Sequence, residues 1–259
     1  MIIIYIIMDY YSIESTFSLI KDNFIYYSQD YGNGESPIDK IILNNYITYW
    51  KDAKRKNEDV KGVFLELGGY DGITYSNTKT LEDSLKFTGI LIEASPSSFE
   101  KMCSTRPKCK NHNYAISNRD SEYISFLGDD KAVGGFKDIL ETTNQKNGRN
   151  WIDAWNISRE EINVKVKKLS DVLKDDDIKY IDIFSLDVEG AELEVLESMD
   201  WNIPVYIIVF ETSAWGKEGK EMVEKCRKLL SSKGFVLDNK TSFDEFWINN
   251  EYFRKDLLK

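Results

Sequence analysis

Glu66 closes a short apolar run and Asp71 follows it inside a glycine-rich turn, in "VFLELGGYDGITYSNT" at 63–78. A glycine turn between strand and helix usually cradles phosphate, with backbone N–H groups aimed at the anion. Two carboxylates would repel that ligand. The dinucleotide pattern Gly-x-Gly-x-x-Gly also fails here. Counted from Gly68, its second and third glycine places hold Tyr70 and Ile73. The Gly-Lys-Ser/Thr of a nucleotide triphosphate loop is missing too.

The spacing Glu66-x-Gly68-x-x-x-Gly72 instead sets a carboxylate at the C-terminal edge of a strand, where α/β sheets bind ligands. Such an edge suits a cation joined to a sugar. S-adenosylmethionine carries an ammonium and a sulfonium and has no phosphate. Its carboxylate can sit near the N-terminus of the helix opening at Ser76, Asn77 and Thr78, and Gly68 permits close backbone approach. The next strand, in "GILIEAS", ends in Glu93, placed to accept hydrogen bonds from both ribose hydroxyls. Glu93 alone suits a nicotinamide enzyme equally, and Gly68, Gly69 and Gly72 alone suit an empty tight turn. Neither reading accounts for the paired acids.

The elements around these residues alternate. From residue 60 onward, β-branched runs and helical segments follow one another, as in βαβ units with a parallel sheet. Strands are expected at 63–67, 90–93, 113–116 and 123–127, in "YIDIFSLDVEG" and "VYIIVFETS", and as a pair in "GFVLDNKTSFDEFWINN". Helices are expected at 76–86, 97–104, 191–198 and 218–232. Residues 128–164 break the rhythm with a polar, Gly/Asn-rich stretch holding Trp151 and Trp155. A loop that long is expected to be functional or disordered. Its tryptophans can stack on a sugar or anchor the loop to the core. Residues 1–60 are expected to form an N-terminal extension or helical cap ahead of one domain at 61–259.

Composition narrows the partners. The chain of 259 residues has 34 Lys+Arg against 44 Asp+Glu, a net charge of −10, which disfavours a nucleic-acid or anionic-membrane partner. Cys103, Cys109 and Cys226 have no metal-ligand spacing and cannot all pair, which points to a reducing, cytoplasmic setting. The apolar run at residues 1–8 is too short for a membrane span and lacks a signal peptide's flanks, so it reads as a buried strand or helix edge.

Together, "VFLELGGYDGITYSNTKTLEDSL", "GILIEASPSSFEKMCSTRP", "NHNYAIS", "IDIFSLDVEGAELEVLESMDW" and "YIIVFET" resemble the FkbM-type methyltransferases, in order, from about Ser28-Gln29 to Trp247. The resemblance implies a class I, Rossmann-like three-layer α/β sandwich with a mostly parallel seven-stranded sheet. It also implies S-adenosylmethionine as cofactor and a hydroxyl acceptor, often on a sugar. In the family's terms Glu66, Gly68 and Asp71 match the cofactor loop, and Glu93 matches the ribose acid. Ala115 and Ile116 match the adenine wall, Asp187, Glu189 and Gly190 match the acidic motif after the fourth strand, and residues 128–164 align with the family's variable insertion, expected on the acceptor side.

An in-line methyl transfer needs oxygen, methyl and sulfur held in line, and an alcohol must also lose its proton. Asp187, at the C-terminal end of a strand, is the first candidate base, with Glu189 and Glu211 next. The competing reading makes Asp187 only the cap of the following helix. The three acids together can hold a divalent ion, but no His–carboxylate spacing supports one and no metal is expected. The expected activity is O-methylation of a sugar hydroxyl in a glycan, glycolipid or nucleotide sugar. A nicotinamide oxidoreductase and a non-catalytic binding module are the alternatives.

Overall fold

The structure is a computed structural model that describes residues 24–30, 34–47, 61–129, 131–142, 151–212 and 216–253; the apolar run at 1–8 lies outside them. In chain order the first elements are α1 (Ile38–Asn45), β1 (Val63–Leu67), α2 (Lys79–Leu85), β2 (Thr88–Ile92), α3 (Pro96–Thr105) and β3 (Lys110–His112). Then come β4 (Ala115–Ile116), β5 (Tyr123–Leu127), β6 (Gly135–Phe136), α4 (Lys137–Thr142), α5 (Trp151–Trp155) and β7 (Glu161–Lys167). The chain continues through α6 (Leu169–Asp175), β8 (Ile181–Leu186), α7 (Glu192–Glu197), β9 (Val205–Glu211), α8 (Gly216–Ser232), β10 (Val236–Lys240) and β11 (Asp244–Ile248).

Seven strands form the main sheet in the order β3-β2-β1-β8-β9-β11-β10. The five from β3 to β9 run parallel, while β11 is antiparallel to both of its neighbours. The last strand in the chain is therefore the reversed one, inserted between β9 and β10. Strand β8 is buried along its whole length and β9 along nearly all of it. Continuous apolar runs such as "YIIVF" are what a parallel sheet covered on both faces requires.

Alternation within the strands sorts the core into two layers. Phe64, Ile183, Ile207 and Val209 face α1, α2 and α3, meeting Ile42, Leu81 and Met102. Leu65, Phe184, Ile208 and Phe210 face the other way, onto Val172, Val195, Cys226 and Leu230 of α6, α7 and α8. Truncating a fully buried Phe64 or Phe184 to Ala would cost about 3–5 kcal/mol. Helix α1 lies in the stretch expected as an extension or cap, and it packs beside α2 and α3 in one helical layer of this sandwich. Among the described residues no helix is long and apolar enough to cross a membrane.

Two expectations change. Main-sheet pairing at the third strand falls on Lys110–His112, and Ala115–Ile116 pairs with β7 in a second sheet. The shift occurs at Asn113, whose side-chain amide donates to the carbonyls of Glu93 and Ala94 at 2.8 and 3.0 Å and turns the chain out. Nor is the 128–164 stretch a plain loop. It supplies β6, α4, α5 and the start of β7, and β4-β7-β5-β6 form a four-stranded sheet. Strand β7 reaches back to Glu161 because Ile162 and Val164 pair with Phe126 and Ile124 of β5.

Candidate functional site

Strand β1 ends in a loop that the fold holds tightly. Gly68 and Gly69 both donate to the Ile92 carbonyl, at 3.1 and 3.2 Å. Side chains here would crowd the neighbouring helix: a Cβ at Gly69 would lie 2.5 Å from Met102 Sδ, and one at Gly72, which has a φ of +81°, would lie 2.6 Å from Thr105 Oγ1. Tyr70 adopts a φ of +44°, an unusual conformation for an aromatic residue, and in it donates its N–H to Glu93 Oε2 at 2.7 Å.

Glu93, one residue past β2, is 8% exposed. Its other oxygen accepts from Ser95 N at 2.7 Å. Burial pushes the carboxyl up to about 7, opposed by the amides of Ser95, Tyr70 and Ala94, while the charge of Asp129 adds to the rise. Each oxygen keeps a lone pair for a further donor.

Glu93 lines a cavity of about 640 Å³, counted with its mouth, together with Gly68, Ala115, Ile116, Asp187 and Glu189. Leu67, Ile92, Tyr114 and Val188 add apolar wall on the sheet side. Opposite them, Phe126, Lys131, Gly134, Gly135 and Phe136 close it from the β5–β6 hairpin. Sequence reasoning missed this wall because the aromatic pair Phe126–Phe136 depends on a strand pairing that no local signal announces.

Asp187 follows β8. Its N–H donates to the Leu67 carbonyl at 3.3 Å, which pins it beside Gly68. Asp187 is an exposed residue that opens onto the cavity it lines. Desolvation by the protein gathered around the carboxyl raises its pKa, a hydrogen bond shared with Glu211 opposes the rise, and the neighbouring charge of Glu66 adds to it. Two carboxyls can share such a bond only with a proton between them.

Asp187 does not cap α7. No side chain caps that helix; Glu192 Oε1 instead ties down the loop before it, accepting from Val188 N and Gly190 N, both at 3.2 Å. Burial and the charge of Asp187 push Glu192 up to about 7, with the amide bonds opposing.

Carboxylate oxygens of Asp187, Glu189 and Glu211 lie within 4.8 Å of one another, a spacing that a divalent cation can bridge. Asp244, opposite Glu211 in the β9–β11 register and 8% exposed, extends the row of acids. Burial and the charge of Asp187 push it up to about 7. It went unnoticed in the sequence because β11 runs backwards, so its first residue, not its last, reaches this edge.

The remaining expected cofactor residues, Glu66, Asp71, Ser76 and Asn77, are not among those that line the cavity. Glu66 accepts from Ser76 Oγ, Thr78 Oγ1 and Asn77 N at 2.9, 2.5 and 2.8 Å. Asp71 binds its own loop, accepting from Thr74 Oγ1, Ile73 N and Thr74 N at 2.7, 2.9 and 2.7 Å, and against the effect of partial burial these bonds, the Thr74 hydroxyl first, hold its carboxyl below the usual range. Asn77 joins Glu66 to Ser185 of β8, donating to Ser185 Oγ at 3.0 Å. With three of its residues tied to Glu66, the segment starts α2 only at Lys79 rather than at Ser76.

Among known proteins, methyltransferase sdnD of Sordaria araneosa is 34% identical to this chain over 108 residues. That stretch covers 38% of this chain and 40% of the relative, so the chain matches less than half of that relative's length. Solved structures with a similar layout include a precorrin-6y C5,15-methyltransferase from Geobacter metallireducens GS-15, 9% identical with a TM-score of 0.38, covering 79% of this chain and 89% of that one. The METTL16 methyltransferase domain is 11% identical with a TM-score of 0.42, covering 89% and 75%. The model of the methyltransferase FkbM domain matches residues 66–237, from the penultimate residue of β1 to the second residue of β10, and the chain belongs to the FkbM methyltransferase family.

Proposed function

We propose that this chain transfers a methyl group from S-adenosylmethionine to a hydroxyl, on a sugar of a glycan, glycolipid or nucleotide sugar. One observation carries the reading: a single cavity has Glu93 in its wall and, elsewhere in the same wall, Asp187 and Glu189. The first is a buried carboxylate able to accept two hydroxyls, and the second pair can take up a proton. The donor set fits the cofactor. Glu93 would hold the ribose, and Ala115, Ile116, Phe126 and Phe136 would enclose the base. Gly68 would give backbone access at the sulfonium end.

Bound S-adenosylmethionine supplies an electrophilic methyl group; everything else falls to the protein. The cavity walls exclude water and align the acceptor, an effect able to lower the barrier by roughly 7–11 kcal/mol. Asp187 takes the hydroxyl proton, its basicity raised by the surrounding protein and by Glu66. Glu211, which shares a hydrogen bond with Asp187, orients it. A hydroxyl acceptor is favoured because it, unlike a free amine, has to lose its proton to a base as the bond forms. The sugar rests on the family resemblance.

The test is methyl transfer from labelled cofactor onto a panel of sugars, nucleotide sugars and glycan extracts, with S-adenosylhomocysteine binding measured by calorimetry. Transfer to amines alone would overturn the hydroxyl assignment. Tighter binding of NADH than of S-adenosylhomocysteine would overturn the cofactor.

A further inference from the structure

The loop between β1 and α2 rests on a guanidinium that solvent does not reach. Arg106, the residue after α3, is 0% exposed. Its Nε binds Glu82, Nη1 donates to the Gly72 carbonyl at 3.1 Å and to Ser76 Oγ at 3.2 Å, and Nη2 donates to Thr78 Oγ1 at 3.2 Å. Ser76 and Thr78 in turn donate to Glu66 Oε2, so two hydroxyls bridge the buried cation to the buried anion. Direct contact is looser, with Arg106 Nη1 3.7 Å from Glu66 Oε2. The ring of Phe64 lies 5.2 Å from the guanidinium carbon, and Thr105 beside it donates to the Asp71 carbonyl at 2.6 Å. The end of α3 thus grips residues 71, 72, 76 and 78 at once.

A buried guanidinium is tolerable only when its donors are met, and a lysine in its place offers a point charge instead of a planar fork. Here the fork matches a carboxylate, a carbonyl and two hydroxyls. Neither Arg106 nor Glu66 lines the cavity. The loop they grip presents Tyr70 N–H to Glu93 and packs Gly68 against Asp187, so a displaced loop disturbs both parts of the cavity.

We propose that Arg106 and Glu66, bridged by Ser76 and Thr78, are positioning residues that hold the 68–74 loop in its cofactor-binding shape without touching the cofactor. The cofactor half of this rests on the methyl-transfer reading; the loop half does not.

The experiment compares the full chain with its Arg106→Lys, Glu66→Gln and Thr78→Val variants. Amide hydrogen exchange of residues 69–74 is followed without ligand, and S-adenosylhomocysteine affinity is measured by calorimetry. Each variant is expected to speed exchange in the loop at least about tenfold while β8 and β9 keep their protection, and to weaken binding roughly 10- to 100-fold. The Glu66→Gln/Thr78→Val double variant is expected to lose little more than the worse single one, because both cut the same bridge.

Wild-type loop exchange and affinity in Thr78→Val and Arg106→Lys would overturn the proposal. So would a loss confined to Glu66→Gln, which would put that carboxylate on the cofactor. If Arg106→Lys fails to fold, Thr78→Val, which deletes one hydroxyl and keeps the shape, decides. A wild-type chain that binds no S-adenosylhomocysteine overturns the methyl-transfer reading instead, and the exchange data still decide whether the network holds the loop.

Discussion

Gly68 and Asp187 meet so closely that a Cβ on Gly68 would lie 1.9 Å from the Asp187 carbonyl oxygen, and Gly68 also has a φ of +79°. The glycine is needed for this contact within the protein as much as for any ligand. Through it the β1 loop and the end of β8 form one rigid corner of the cavity. Gly68→Ala therefore adds a clash to a backbone penalty of about 1 kcal/mol. The variant is expected to lose S-adenosylhomocysteine binding and several degrees of melting temperature together. Wild-type affinity in a folded Gly68→Ala chain would show that the corner yields freely.

Asp187→Asn separates basicity from shape. Asn can still donate to Glu211, and α7 is unaffected because no side chain caps its N-terminus. Turnover is expected to fall by roughly 10²–10⁴ with the melting temperature almost unchanged. Asp187→Ala is expected to fold as well as Asp187→Asn, whereas a capping role would cost the Ala variant about 1 kcal/mol. Near-normal turnover in Asp187→Asn would remove it as the base. Chelation by EDTA is expected to leave turnover intact; a loss restored by Mg²⁺ or Mn²⁺ would instead assign Asp187, Glu189 and Glu211 to an ion.

Glu93 makes cofactor binding depend on pH. Its carboxyl, pushed up to about 7 by burial, must be ionised to accept both ribose hydroxyls. Affinity is expected to level off above pH 8 and to fall about tenfold per pH unit below 6.5. Folding raises this pKa, so the unfolded chain gives up the proton first. The stability that neutral Glu93 allows is complete below about 4.5 and is lost as pH rises through about 7. Calorimetric titration across this range checks the first claim. Glu93→Gln should bind weakly at every pH, and an unchanged pH profile in that variant would exclude Glu93 as the titrating group.

Phe136 tests the hairpin. Its side chain lines the cavity beside Ala115 and Ile116, so Phe136→Ala is expected to weaken S-adenosylhomocysteine about tenfold through lost apolar contact. Trp155, 55% exposed on α5 and absent from the cavity wall, serves as the control, and Trp155→Ala should leave the affinity unchanged. A loss of acceptor methylation in Phe136→Ala with cofactor affinity intact would assign the hairpin wholly to the acceptor.

The residues that end strands were legible in the sequence. Glu66, Glu93, Asp187 and Glu211 each close a β-branched apolar run, and in a parallel sheet every such end reaches the same edge. Alternation and glycine punctuation are local, so the order of strands and helices could be read along the chain. Which way each acid faces was not local. Glu66 does not line the cavity because Ser76, Thr78 and Arg106 take up its carboxylate, and Arg106 lies 40 positions further along. Asp244 joins the acidic row only because β11 is inserted antiparallel beside β9. The wall of Phe126 and Phe136 exists only once β5 pairs with β6, a hairpin whose short β6 carries little periodic signal. The sequence by itself determined the chemistry available at the sheet edge, because residue type and strand period are local properties. Tertiary structure decided which groups line the cavity and which brace it, because burial and hydrogen-bond partners come from residues far apart in the chain.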